Sequence, residues 1–212
     1  MKRLLYTLLL LLAVVQHVEA RTPMRGWLTA MPDSVLPLLT KNDRLDFIDY
    51  HDVNMEAVVT NRMDGKSRMA VLTDDFVCIN YTKSTDVALK LLPVNDSTDV
   101  LCMVTTMKSA VQDSRIAFYD AQWQPLDAAS YISEPCMDDF RSTLQGDSAQ
   151  WAWNKLGVFF RTYQLDAEGT DLKCVFTATD YLSKEDREEV APYVRREPLT
   201  YRWTHGRYLR NE

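Results

Sequence analysis

The sequence is that of a mid-sized acidic protein with an ordinary globular composition. It has 212 residues, of which 46% are hydrophobic and 25% are charged, and its formal net charge is −6. The length suits one domain or two small ones. An acidic surface repels phosphate backbones, so the charge argues against a nucleic-acid partner.

The first twenty residues have the three parts of a cleavable secretory signal peptide. Lys2 and Arg3 form a positive start, Leu4 to Val15 is a nearly continuous apolar run, and Ala20 ends a small-residue cleavage site. The run is shorter than the roughly 20 apolar residues that a spanning helix needs. We predict cleavage after Ala20, export, and no transmembrane segment in the mature chain; the alternative is an N-terminal core helix.

Residues 33–51 have a helical spacing of apolar side chains. Asp33 or Ser34 can cap a first helix, and Asn42 can cap a second one. Apolar residues up to Ile48 then recur between acidic ones. The pattern predicts a helix, a turn and a second short helix.

From Ala57 onward the apolar period changes to two, which is typical of strands. Ala57–Met63 and Ser67–Thr73 flank Asp64-Gly65, which is a strong hairpin signal. The further predicted strands are Phe76–Thr82, Val87–Leu92, Asp99–Lys108 and Arg115–Tyr119. Their short connections favour an antiparallel meander.

The second half alternates less regularly. A short helix is predicted at Asp138–Leu144, and strands are predicted at Leu156–Leu165 and Leu172–Thr179. Ser183, three residues before Asp186, has capping-box spacing and opens a helix. A closing strand follows, in which Leu199, Tyr201 and Trp203 alternate, and His205-Gly206 turns it into Arg207–Leu209.

These elements predict an α+β fold in which an antiparallel meander carries helices on one face. We expect two apolar faces to be buried under the helices of residues 33–51, namely Val77/Ile79/Tyr81 and Val87/Leu89/Leu91. After the signal peptide (1–20), the pattern divides into an N-terminal unit (21–130) and a C-terminal unit (131–212). These are either two similar α+β units or parts of one continuous sheet.

Four cysteines remain after the signal peptide: Cys78, Cys102, Cys136 and Cys174. Export makes disulfides possible. We expect no Cys78–Cys102 bridge, because one strand lies between theirs and separates them by roughly 9.6 Å, whereas a disulfide needs Cα atoms within about 7 Å. Cys136 with Cys174 is the pairing left open.

Side chains able to do chemistry are scattered. His51 and His205 have no metal-ligand neighbours at a recognised spacing. A Cys–His pair, such as Cys78 with His51, could form a nucleophile and base, but a buried strand cysteine is the commoner case. Acid pairs, which could serve glycoside hydrolysis, stand at turns and caps, where a structural role suffices; they are Asp43/Asp46, Asp74/Asp75 and Asp138/Asp139. We predict no catalytic set, no metal site and no cofactor.

The aromatic-rich segment Trp151–Phe160 contains the candidate ligand-binding residues, Trp151 and Trp153. Exposed tryptophans can stack on sugar rings or anchor a protein partner. The alternative is that both pack in the core of a strand and its lead-in.

Several strings resemble a known family. They are Met31–Asp46, Thr60–Ser67, Leu89–Ser97, Asp113–Asp120 and Trp123–Leu126. They resemble exported Bacteroidales proteins grouped as domain of unknown function 3256, most densely over residues 31–126. The resemblance implies a Gram-negative envelope compartment, the periplasm, and it carries over no catalytic residue.

The sequence therefore favours an exported, non-enzymatic binding or interaction module of the cell envelope, with an unknown envelope protein or ligand as its partner. The alternative is a periplasmic hydrolase that uses acidic residues or a Cys–His pair. Geometry separates them: a hydrolase needs a histidine beside a cysteine or an acid inside a pocket, whereas a binding module offers exposed aromatic side chains on a concave surface.

Overall fold

A computed structural model describes residues 21–211, so the predicted signal peptide and its cleavage site at Ala20 lie outside the described residues. The described chain forms two antiparallel sheets and four α-helices. The predicted α+β class is confirmed.

Two helices precede the first sheet. Helix α1 spans Met24–Ala30 and helix α2 spans Lys41–Asp52. The sequence pattern missed α1, which is only seven residues long and has no side-chain hydrogen bond at its N-cap. Its buried face consists of Met24, Trp27 and Leu28.

The predicted first helix of residues 33–51 is wrong, because residues 33–39 form a series of turns. Pro37 has no N–H and disfavours a helical conformation of the residue before it. Helix α2 is capped by Thr40 and not by Asn42: the Thr40 hydroxyl accepts from the Asp43 N–H at 3.1 Å, and the Thr40 N–H donates to Asp43 Oδ2 at 2.6 Å. Asp43 is thus part of a capping box.

The first sheet is a seven-stranded meander in which every strand pairs with its sequence neighbours. Its strands are β1 (Val58–Thr60), β2 (Lys66–Leu72), β3 (Phe76–Thr82), β4 (Thr85–Pro93), β5 (Asp99–Lys108), β6 (Gln112–Tyr119) and β7 (Pro125–Leu126). The predicted meander is confirmed, because period-two alternation and turn residues are local signals that tertiary packing does not override here.

One face of this sheet carries α1 and α2. Val77 and Ile79 from β3 and Leu89 from β4 are fully buried. They cluster with Phe47 and Ile48 of α2. The prediction that these faces lie under a helix is confirmed, except that Tyr81 is only partly buried.

The second half forms a smaller layer on the opposite face. It contains α3 (Asp147–Leu156), β8 (Arg161–Leu165), β9 (Leu172–Phe176), α4 (Lys184–Val190), β10 (Leu199–Thr204) and β11 (Arg207–Arg210), with short 3₁₀ turns between them. The four strands form a second sheet in the order β11-β10-β9-β8. Its residues Cys174 and Tyr201 share a buried cluster with Cys102 and Phe118 of the first sheet.

Two predicted elements in this layer are wrong. Leu156–Leu165 is not one strand, since Leu156 ends α3 and β8 begins only at Arg161. The predicted helix Asp138–Leu144 is a 3₁₀ turn at Met137–Phe140. The division into units 21–130 and 131–212 stays a prediction, although one buried cluster contains side chains from both.

All four cysteines are free thiols in the described chain. Cys78 lies opposite Ala88, and Cys102 lies opposite Lys90, so β4 separates the two cysteines as the sequence predicts. Cys136 is exposed and Cys174 is buried.

Candidate functional site

The structure does not bring the proposed nucleophile and base together. His51 ends α2 over one face of the first sheet, whereas Cys78 lines a groove on the other face. The nearest acid to His51 is Asp52, with Oδ1 at 3.6 Å from Nδ1, and both side chains are over 40% exposed. His205 occupies the tight turn between β10 and β11 with φ of 50°.

Members of the acid pairs make structural contacts. Asp43 caps α2, Asp138 pairs with Arg141 at 2.7 Å, and Asp139 pairs with Arg210 and accepts from the Cys136 N–H at 2.8 Å. Burial opposes ionisation of Asp139, but the hydrogen bonds from Arg210 and Cys136 outweigh it and lower the pKa of the carboxyl.

The two buried cysteines are poor nucleophiles. Burial raises the pKa of Cys102 far above its ordinary value, and it raises the pKa of Cys174 to about 12. A thiolate, which is the reactive form, is therefore suppressed at both positions.

A recess of about 510 Å³ beside Arg21 is charged and has no aromatic lining. Lys90 is buried behind it and bonds Asp75 Oδ2 at 2.9 Å and the Ala167 carbonyl at 3.1 Å. Arg21 lies 3.4 Å from Asp99. Burial, together with Asp75, raises the pKa of Asp99 against the opposing effect of Arg21. These charges largely satisfy one another, so we assign the cluster to holding Arg21 and the β8–β9 turn against the first sheet.

The two candidate tryptophans have different environments. Trp153 is 4% exposed and packs on Phe176 in the core, whereas Trp151 is 47% exposed. Residues two apart share a face of a strand but lie roughly 200° apart around a helix. Because the segment is α3 and not a strand, one tryptophan turns inward and the other outward.

Trp151 lines a surface recess of about 430 Å³ between α3 and the turn after α4. The recess, which we call the Trp151 recess, is lined by Asp147, Ser148, Trp151, Glu189 and Tyr193. Lys155 Nζ lies 4.6 Å from the centre of the indole ring and also bonds Glu189 Oε2 at 3.1 Å. The indole is therefore held in place from one side.

A further concave surface runs along β8 and was not foreseen from the sequence. This β8 groove, of about 320 Å³, has consecutive β8 residues on one wall and side chains from β3 to β6 on the other. It depends on contacts between segments far apart in the chain, for which no local pattern exists.

Among residues 21–211, no helix is long and apolar enough to cross a membrane, and no group of three or more His, Cys, Asp or Glu side chains is placed to hold a metal ion.

The fold and these surfaces define an α+β protein with several surface recesses, in which Cys78 and His51 lie apart. The chain belongs to the family described as "Protein of unknown function (DUF3256)", which matches residues 15–208. The family named by the sequence resemblance is therefore confirmed; its restriction to Bacteroidales stays a prediction.

One solved structure is similar over nearly its whole length. It is described as "Structure of a domain of an uncharacterized protein from Porphyromonas gingivalis W83". The similarity covers 91% of this chain and 99% of that chain, with a TM-score of 0.80 and 28% sequence identity. No curated protein matches.

Proposed function

We propose that this chain is an exported, non-enzymatic binding module of the cell envelope, and that the Trp151 recess holds its ligand, a saccharide ring. The observation that carries the proposal is the exposure of Trp151, which is 47% accessible on a helix whose other tryptophan is buried. Export is supported by the signal-peptide pattern of residues 1–20.

The chemistry of the recess suits a polyhydroxylated ring. The free face of the Trp151 indole offers a flat apolar platform for the C–H face of a sugar. The carboxylates of Asp147 and Glu189 beside it can accept hydrogen bonds from hydroxyl groups. Tyr193 adds a second aromatic side chain with a polar tip.

The platform is organised before a ligand arrives. Lys155 stacks on Trp151 and is held by Asp186 and Glu189 of α4. A side chain that is already fixed loses less conformational entropy when it binds, which favours affinity.

The test uses the mature chain, residues 21–212, titrated with maltose, cellobiose and chitobiose while indole N–H signals are followed by NMR. We expect the Trp151 signal to shift with at least one of them and Trp151→Ala to abolish binding. Tyr181→Ala is the matched control, because Tyr181 is 64% exposed but does not line the recess. Shifts that survive in Trp151→Ala, or none with any saccharide, would overturn the proposal.

Export has its own measurement. Intact-mass analysis of the protein from its native host should give an N-terminus at Arg21. A retained segment 1–20 would instead make the apolar run an anchor.

A further inference from the structure

We infer that the free edge of β8 binds an extended peptide segment of a partner protein as an added strand. This inference goes beyond the Trp151 recess and rests on different residues. Strand β8 is the terminal strand of the second sheet, with β9 on one side and no strand on the other among the described residues.

Backbone hydrogen bonds at the two ends of the β8–β9 ladder determine which β8 residues point outward. The Thr177 N–H donates to the Phe160 carbonyl at 3.0 Å, and the Asp166 N–H donates to the Asp171 carbonyl at 3.0 Å. Directly opposed residues alternate between hydrogen-bonded and non-hydrogen-bonded pairs in antiparallel strands. By that alternation, Thr162 and Gln164 bond to β9, whereas Arg161, Tyr163 and Leu165 direct their backbone groups away from it.

One of these outward groups is already occupied. The Arg161 N–H donates to Asp113 Oδ1 at 3.2 Å. The N–H and C=O groups of Tyr163 and Leu165 have no hydrogen-bond partner within residues 21–211. An antiparallel segment could bond all four of them, because each outward residue exchanges two hydrogen bonds with the residue opposite.

The β8 groove gives such a segment a place to lie. Its lining includes four consecutive residues of β8, Thr162 to Leu165. Side chains of successive strand residues point to opposite faces, so a cavity that all four residues line runs along the strand edge and not across one face.

The opposite wall determines the chemistry of the partner. Small side chains, Cys78 and Ala88, lie opposite each other in the β3–β4 register and leave room above the sheet. Asp86 and Lys108 at this wall neutralise each other at 2.7 Å. The groove therefore fits an uncharged segment of about five residues that points an apolar side chain at the sheet.

The β8 edge is longer than the other edges of the two described sheets, and side-chain bonds anchor it. Arg161 bonds the Tyr163 hydroxyl at 2.9 Å and pairs with Glu134, which anchors β8. The edge strands β1 and β7 have only three and two residues, and β11 is partly covered by the Tyr208–Tyr131 backbone bond. Short or covered edges are how proteins avoid unwanted pairing; β8 has five residues and neither Lys nor Pro.

A second copy of the chain fits this edge less well than a separate segment does. The β8 of a folded copy would bring its own first sheet along, because that sheet forms the other wall of its groove. An extended segment without such a wall can lie beside β8 in the groove. We therefore assign the groove to a peptide segment.

The experiment selects linear seven-residue peptides from a random display library against the mature chain and maps their contacts by amide hydrogen exchange. We expect bound peptide to slow exchange at Tyr163 and Leu165 at least tenfold. The Thr162 and Gln164 amides should change little, because they already bond to β9. N-methylation of alternate peptide amides should abolish binding.

A pair of variants isolates the backbone contribution. Leu165→Pro removes an outward N–H without touching the β9 ladder, a position where an edge strand tolerates proline. Leu165→Ala is the matched control, because it also loses the side chain but keeps the N–H. We expect Leu165→Pro to bind the selected peptides at least tenfold more weakly than Leu165→Ala, with circular dichroism and thermal melting confirming that both fold.

Four results would overturn the inference: a library that yields no binder, protection at amides away from β8, equal affinities of the two Leu165 variants, or a dimer in sedimentation that Leu165→Pro dissolves. The first three exclude strand addition of a peptide, and the last assigns the edge to a second copy. Trp151→Ala should leave peptide binding unchanged, so failure here and failure of the saccharide proposal are separable.

Discussion

At the scale of single residues, the most consequential polar side chain is Arg44, which is 1% exposed. Its guanidinium donates to the carbonyls of Leu28 at 3.0 Å and Leu39 at 2.8 Å, and also to that of Met31. It thus fastens α1 and the turns of residues 33–39 to α2. An aliphatic residue of the same length cannot replace these bonds, and each buried carbonyl left without a donor costs about 1–3 kcal/mol.

We predict that Arg44→Met lowers the free energy of unfolding by about 3 kcal/mol or more, measured by urea denaturation. Arg62→Met is the control. Arg62 also pairs with Asp33, at 2.7 Å, but its side chain is 48% exposed. That variant should change stability by less than about 1 kcal/mol. Equal effects of the two variants would show that the buried bonds of Arg44 contribute little.

The phenol of Tyr201 makes stability depend on alkaline pH. Burial raises the pKa of Tyr201 from 10.0 to about 12. Since the folded pKa lies above the unfolded one, its contribution is fully present below pH 10 and is lost as pH rises towards 12. We predict that the free energy of unfolding falls less steeply with pH over this window for Tyr201→Phe than for the wild type. The two slopes should differ by up to about 1.4 kcal/mol per pH unit. Parallel plots of unfolding free energy against pH for the wild type and Tyr201→Phe would contradict this.

At the scale of elements, Gly157 explains why the predicted strand Leu156–Leu165 begins too early. The apolar and aromatic residues before it suit either structure, and the sequence offers no decisive cap at the N-terminus of α3, where Gly146 stands. Gly157 ends α3 in the left-handed region, with φ of 60°. A glycine at this position is a common helix stop, and it was the local signal available for placing the boundary.

We predict that Gly157→Ala lowers the free energy of unfolding by about 1 kcal/mol, because a Cβ disfavours the left-handed conformation. The nearest atom to such a Cβ is the Asn154 carbonyl oxygen at 3.8 Å, so strain and not a clash is measured. Gly157→Asn should cost less, since asparagine tolerates this region. Chemical denaturation of the wild type and the two variants checks this order of stability. An alanine variant as stable as the wild type would contradict it.

The same element shows how much of the candidate site was predictable. Trp151 could be named from the sequence, together with Trp153, because the chain has only five tryptophans and they are chemically distinct. Its separation from Trp153 could not be foreseen, because it depends on whether the segment is a helix or a strand. The β8 groove was beyond prediction, since its walls come from β3 to β6 and β8 and no local pattern encodes how the two sheets stack.

At the scale of the whole molecule, the first sheet packs against α1 and α2 on one face and against the second sheet on most of the other. We predict that Ile79→Asp or Leu89→Asp lowers the free energy of unfolding by about 4 kcal/mol or more, because each buries an unpaired charge. Val71→Asp on β2 is the control, being 41% exposed, and should cost less than about 1 kcal/mol. Unchanged melting temperatures in the first two would mean that the faces are wrongly assigned.

The shared core leads to a final prediction about the two proposed units. The second hydrophobic cluster joins Cys102 and Phe118 of the first sheet to Leu172 and Tyr201 of the second. A fragment of residues 21–130 would expose its half of that cluster to water, at a cost of roughly 25 cal/mol for each Å² of apolar surface. We expect this fragment to bind a hydrophobic dye and to melt without a cooperative transition, whereas residues 21–212 melt in one transition. A fragment with a sharp transition and no dye binding would show that the units fold independently, and its stability would then measure how little the shared cluster contributes.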